Sequence, residues 1–190
     1  MPMGEAKFCR VEHGEAVPHD YGNRYFRQVT DVGERLVIGP SKKQMELLIE
    51  LACDLPGEPW YVLYVLLTSR AGNREPGRYE SQPFPTYAEL ASFLSAFRGY
   101  FESDGRHHIW VGSVGKEGLV VYDRHNVIFG YGPLEELERT LKIRGFRMEE
   151  FWYPTPHEHA CDAENDAEED RLMAEHEWKY FPLEAGDTVE

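Results

Sequence analysis

Apolar positions along the chain switch between a period of two and a period of three to four, and the switches mark its elements. Arg24–Thr30 and residues 35–38 are rich in aromatic and β-branched side chains. Asp31-Val32-Gly33-Glu34 between them is turn chemistry, so a hairpin is predicted. Met45, Leu48, Ile49 and Ala52 then recur at helical spacing. Ser41, with Gln44 three residues on, has the form of a capping box, and the pattern predicts a helix over 41–54 ended by Leu55-Pro56-Gly57. The run 60–68 is continuously apolar, as expected of a central strand covered on both faces. A Gly/Pro/Arg loop over 69–77 and a short strand over 78–82 follow.

Thr86 and Glu89 form a second capping box, before an apolar stripe of Leu90, Phe93, Leu94, Phe97 and Phe101. That helix is expected to end near Ser103-Asp104-Gly105. Three closely spaced strands, 107–111, 119–122 and 127–131, imply an antiparallel meander. A third helix over 134–143 has Gly145 as its terminating residue and Phe146 as the apolar contact after it. Residues 146–153 read as a last strand, ended by Pro154 and Pro156. The predicted class is α+β: a single domain with a mostly antiparallel sheet, three helices packed on it and an acidic C-terminal helix. The expected organisation is a polar, loosely held arm (1–22), a core (23–153) and an acidic segment docked on it (154–190).

Charge sharpens the last of these. The chain has a formal net charge of −14, and residues 145–190 hold fourteen acids against three bases. Such a balance repels nucleic acid and anionic membrane, so neither is an expected partner. The longest apolar run, 60–67, is far short of the ~20 residues needed to span a bilayer. The N-terminus has no apolar run of signal-peptide type, and the three cysteines are scattered and odd in number. A reducing, cytoplasmic setting is therefore expected.

Residues 163–177 contain neither Gly nor Pro, and Asp162 is placed to cap them. On a helix, Asp162, Asp166 and Asp170 share one face and Glu164 and Glu168 the next, with only Leu172, Met173 and His176 as an apolar edge. An aromatic knot around Trp178 should tie the segment back. Asp162, Glu164, Asp166, Glu168, Glu169, Asp170 and Trp178 thus make a candidate docking face for a basic protein partner. Small acidic inhibitors of nucleases or toxins, of the immunity kind, work through the same physics. The alternatives are a solvated face, or a segment that neutralises the arginine loop.

Three other clusters carry possible chemistry. His157 and His159, with Cys161 after them, have the spacing of adjacent metal ligands on an extended chain, against the alternative of a polar loop. In a meander, His107 or His108 approaches Asp123 and His125, which would make an acid/base pair for a small hydrolase. Turn chemistry alone explains the same residues. Arg70, Arg74 and Arg78 punctuate a glycine-bearing loop that could fork onto a phosphorylated metabolite, though without a nucleotide-loop motif. No cofactor signature is present. The expected function is a non-catalytic interaction protein, with the metal-dependent or His/Asp hydrolase and the metabolite-binding module as alternatives.

Overall fold

A computed structural model describes residues 6–187 apart from 71, 73, 114 and 116. Twelve strands and five helices make one α+β fold among them, and the pairing is mostly antiparallel. Strands β3 (Arg24–Thr30) and β4 (Gly33–Gly39) form the expected hairpin, with Gly33 at φ 129 in its turn. The meander is β7 (His107–Ser113), β8 (Leu119–Tyr122) and β9 (Ile128–Tyr131), paired Ile109↔Tyr122 and Tyr122↔Ile128. Strands β5 (Trp60–Leu66) and β6 (Gly77–Glu80) extend it on one side. The nine-stranded sheet is completed by β10 (Arg147–Met148) at one edge and β12 (Lys179–Phe181) at the other. Its order is β10-β3-β4-β9-β8-β7-β5-β6-β12. Among the described strands only β10 against β3 is parallel.

Strand alternation sends Tyr25, Leu36, Ile38, Val62, Tyr64, Ile109, Val111, Val120 and Ile128 to one face. There they pack under helices α1 (Gln44–Cys53), α2 (Tyr87–Ala96), α3 (Arg98–Ser103) and α4 (Leu134–Ile143). The opposite face has only a small cluster, Phe8, Tyr21, Val37, Val127 and Phe151. A separate three-stranded sheet lies against it, β11-β1-β2, built from β1 (Phe8–Glu12), β2 (Glu15–Pro18) and β11 (His157–His159). The N-terminal region expected to hang loosely is therefore a hairpin from residue 8, with Phe8 fully buried. Residues 1–5 lie outside the described residues.

Several expectations fail for definite reasons. The three helices expected on the sheet become four, because Phe97, at φ −108, ψ 10 with its ring fully packed, breaks the second helix into α2 and α3. A fifth helix, α5 (Asn165–Glu175), lies within the acidic stretch 163–177. Ser41 does not cap α1. Lys43, at φ 60, is the residue before Gln44, and the Met45 amide donates instead to Glu102 Oε1 at 2.8 Å. The last strand shrinks to Arg147–Met148, because after Glu149, whose N–H still donates to Tyr25 O, the chain leaves the edge and Phe151, Trp152 and Tyr153 line the open sheet face. By contrast, Thr86 and Glu89 form the full capping box. α4 also ends as its sequence requires, with Phe146 N–H donating to Leu141 O and Gly145, at φ 79, donating to Lys142 O. No helix among the described residues is long and apolar enough to cross a membrane.

Candidate functional site

The face of the main sheet away from the helices carries a cleft of about 550 Å³. Phe26, Val37, Phe129, Tyr131, Val121 and Trp110, from five successive strands, form its floor. Phe151, Trp152 and Tyr153 of the extended segment wall one side. Trp152 is 77% exposed and Met148 at the nearby sheet edge is 62% exposed. Arg35 lies flat on the Phe129 ring, 4.3 Å from its centroid, and donates to Gln28 Oε1 and Tyr131 Oη at 2.8 and 2.9 Å. Polar groups cluster at the β8–β9 turn, where Asp123, Arg124 and His125 line the cleft together with His108.

That turn is built by Asp123. Its Oδ1 accepts from the backbone N–H groups of His125 and Val127, both at 2.9 Å, and Asn126 takes the left-handed φ of 63 that closes the loop. Its Oδ2 sits 2.8 Å from His125 Nδ1. Burial works against the Asp123 charge, but His125 and the Val127 N–H outweigh it, and the carboxyl is held below its ordinary range. An ionised acceptor there puts the His125 proton on Nδ1 and leaves Nε2 as a lone pair. Nε2 is buried and has no hydrogen-bond partner among the described residues.

The four acid/base candidates do not converge as one set. His108 shares the cleft with Asp123 and His125, and burial pushes it down to about 4. His107, the next residue on the strand, points to the other face. It stacks on Tyr100 at 4.8 Å inside the helix-side core, where burial holds it well below its ordinary range. His157 and His159 come instead to His125: one ligand atom from each of the three lies within 4.8 Å of the others. His157 Nδ1 is 2.9 Å from Pro154 O. His159 is pushed down to about 3, first by burial and then by the Arg124 charge, while a hydrogen bond with the Arg124 backbone works the other way. Cys161 is exposed and does not join them. Phe8 packs on all three imidazoles, with ring centroids 5.2–5.5 Å away.

The arginine loop faces the acidic segment. Arg70 forks onto Asp166, with Nε at 3.0 Å from Oδ2 and Nη2 at 2.5 Å. Arg74 reaches Glu169 at 2.8 Å and Asp170 at 3.0 Å, and Arg78 pairs with Asp187 at 2.8 Å and Glu184 at 2.6 Å. A fourth arginine, Arg106, is bound by Asp104 and also lies 3.3 Å from Glu169 and 3.4 Å from Asp166. Asp166 and Glu169 therefore face inward. Glu164 and Asp170 are exposed, Asp162 and Glu168 are half-exposed, and Glu168 holds Arg171 at 2.6 Å. Trp178 packs against the core, and its indole N–H donates to Leu172 O at 3.2 Å.

Two features escaped the sequence. One is His125 as a companion of His157 and His159, a contact across some thirty residues with no local signature. The other is Lys7, fully buried with its Nζ 3.4 Å above the Tyr122 ring and no hydrogen-bond partner among the described residues. Comparison of the chain with protein-family models, with curated proteins and with solved structures gives no match.

Proposed function

We propose that this is a non-catalytic interaction protein that takes a basic protein partner on the uncovered face of its main sheet, in the manner of an acidic inhibitor. The observation that carries the reading is the aromatic cleft with Trp152 standing exposed at its rim. Interface centres are enriched in aromatics, Met and Arg, and Trp, Tyr and Arg dominate their energetics. The acidic segment supports the choice of a basic partner. Residues 154–190 carry twelve acids against two bases. Four arginines from elsewhere in the chain bond to them, which leaves six negative charges unmatched by those four. Exposed carboxylates on a fixed helix steer a cationic partner without an ordering cost at encounter.

The metabolite-binding alternative loses ground, because Arg70, Arg74 and Arg78 already spend their forked donors on the chain's own acids. Immobilised protein exposed to extract of its source cell at low and high ionic strength provides the test. The expected result is one identified basic protein, released by salt and no longer retained by Trp152→Ala. If no basic protein is held at low salt, or if Trp152→Ala holds it as the wild type does, the proposal fails.

A further inference from the structure

The three-histidine cluster borders that cleft through His125, while His157 and His159 belong to the small sheet, and it asks for its own explanation. Two of its members are set by hydrogen bonds at the far side of the ring. His125 Nδ1 is engaged by Asp123 Oδ2 at 2.8 Å, and His157 Nδ1 by Pro154 O at 2.9 Å. Both partners are acceptors, so each imidazole carries its proton on Nδ1 and turns an Nε2 lone pair inward. His159 adds a third imidazole, beside the Arg124 backbone, whose two nitrogens are buried and have no side-chain partner among the described residues. Imidazole nitrogens gathered this closely, with buried ones left without a side-chain partner among the described residues, carry a desolvation cost that a bound cation would offset.

We propose that His125, His157 and His159 bind a divalent transition-metal ion of the zinc type. The donor set is three neutral imidazoles with no carboxylate among them, which selects zinc-like ions over calcium or magnesium. The groups that would orient such ligands are in place too. A histidine ligand ordinarily gives its other ring N–H to a carboxylate or a carbonyl, and here Asp123 and Pro154 supply one of each. The ligand atoms lie within 4.8 Å of one another, and metal–nitrogen bonds of ~2.0–2.1 Å in a tetrahedron need ~3.4 Å. Closing that gap takes small side-chain rotations in a site where His157 and His159 are half-exposed. Solvent reaches the ion on that side and completes its coordination. The ion ties two sheets together: His125 stands in the β8–β9 turn of the main sheet, while His157 and His159 are the two ends of β11 in the small one. Its role in this geometry is to fasten the N-terminal hairpin and β11 against the main sheet.

The full-length chain, prepared without a histidine tag and stripped with chelator, is titrated with zinc chloride. The expected result is one ion per chain and a raised melting temperature at saturation. His159→Gln and His157→Gln are each expected to weaken affinity by more than about 100-fold, and Asp123→Asn by about 10–100-fold through its bond to His125. His176→Gln, on the far side of the molecule, leaves binding intact. Should the ligand variants fail to fold, X-ray absorption of the zinc-loaded wild type reports the ligands directly. Three imidazoles uphold the site, and fewer than two overturn it. Absence of saturable one-to-one binding, or binding unchanged in both His157→Gln and His159→Gln, also overturns it.

Discussion

At the scale of single residues, the buried cation at position 7 has the clearest energetic consequence. Burial drives Lys7 down to about 7 from its ordinary 10.5, while Asp123, Asp104 and Glu102 pull the other way. Between pH 7 and 10.5 the unfolded chain holds a proton that the folded chain sheds. Stability on account of this group therefore rises with pH across that window and is flat below it. Lys7→Met, which keeps the volume and removes the charge, is expected to raise stability at pH 7 by about 2 kcal/mol, in the range seen when buried charges give way to apolar groups. At pH 9.5 the gain should shrink towards zero. Urea unfolding midpoints for both proteins at both pH values check this, and a gain that does not vary with pH would contradict it. Nothing local in the sequence marks Lys7, because a lysine before an apolar strand is ordinarily a surface residue. The inward turn comes from the distant Tyr122 ring. His125, His157 and His159 were hidden for the same reason: His-x-His is visible as a pair, but the third imidazole arrives through sheet packing.

At the scale of elements, what was legible is what depends on neighbours in sequence. α4 could be read residue for residue, since its apolar spacing, its glycine terminator and the following Phe146 all lie within one short stretch. The start of α1 could not, because its amide partner is Glu102 rather than Ser41. Residues 150–153 look like a strand but leave the sheet edge, a choice made by the aromatic surface that Phe151, Trp152 and Tyr153 line. The attachment of α5 is likewise tertiary. Glu169 is only 3% exposed and lies between Arg74 and Arg106, so removing it takes a buried carboxylate from both guanidinium groups and leaves Arg74 with the exposed Asp170. Glu169→Ala is expected to cost about 3 kcal/mol, as for other broken buried pairs. Amide exchange along α5 should accelerate in parallel. Glu168→Ala, which loses only an exposed pair with Arg171, should cost under about 1 kcal/mol. Equal costs in the two variants would show that the helix is held by Leu172 and Trp178 alone.

At the scale of the whole molecule, charge and aromatic surface occupy different places, so their contributions to binding a basic partner separate. The helices cover one face of the sheet. The cleft with Trp152 opens on the other, and the carboxylates of α5 lie off that face, beyond the β6 loop to which they are bonded. Charges outside the contact act mainly on encounter, because their field reaches about a Debye length, ~8 Å at physiological salt. An aromatic anchor inside the contact acts on dissociation. Reversing Glu164, Asp170 and Glu175 to Lys is therefore expected to lower the association rate by roughly tenfold at low salt and to flatten its dependence on ionic strength, with the dissociation rate nearly unchanged. Trp152→Ala should do the opposite. It should leave the association rate within about twofold and speed dissociation by more than tenfold, the signature of a truncated hot spot. Surface plasmon resonance with the captured partner, across a salt series, measures both rates on both variants. If the charge reversal acts on dissociation and Trp152→Ala leaves it untouched, the acidic helix is itself the contact and the sheet face is not.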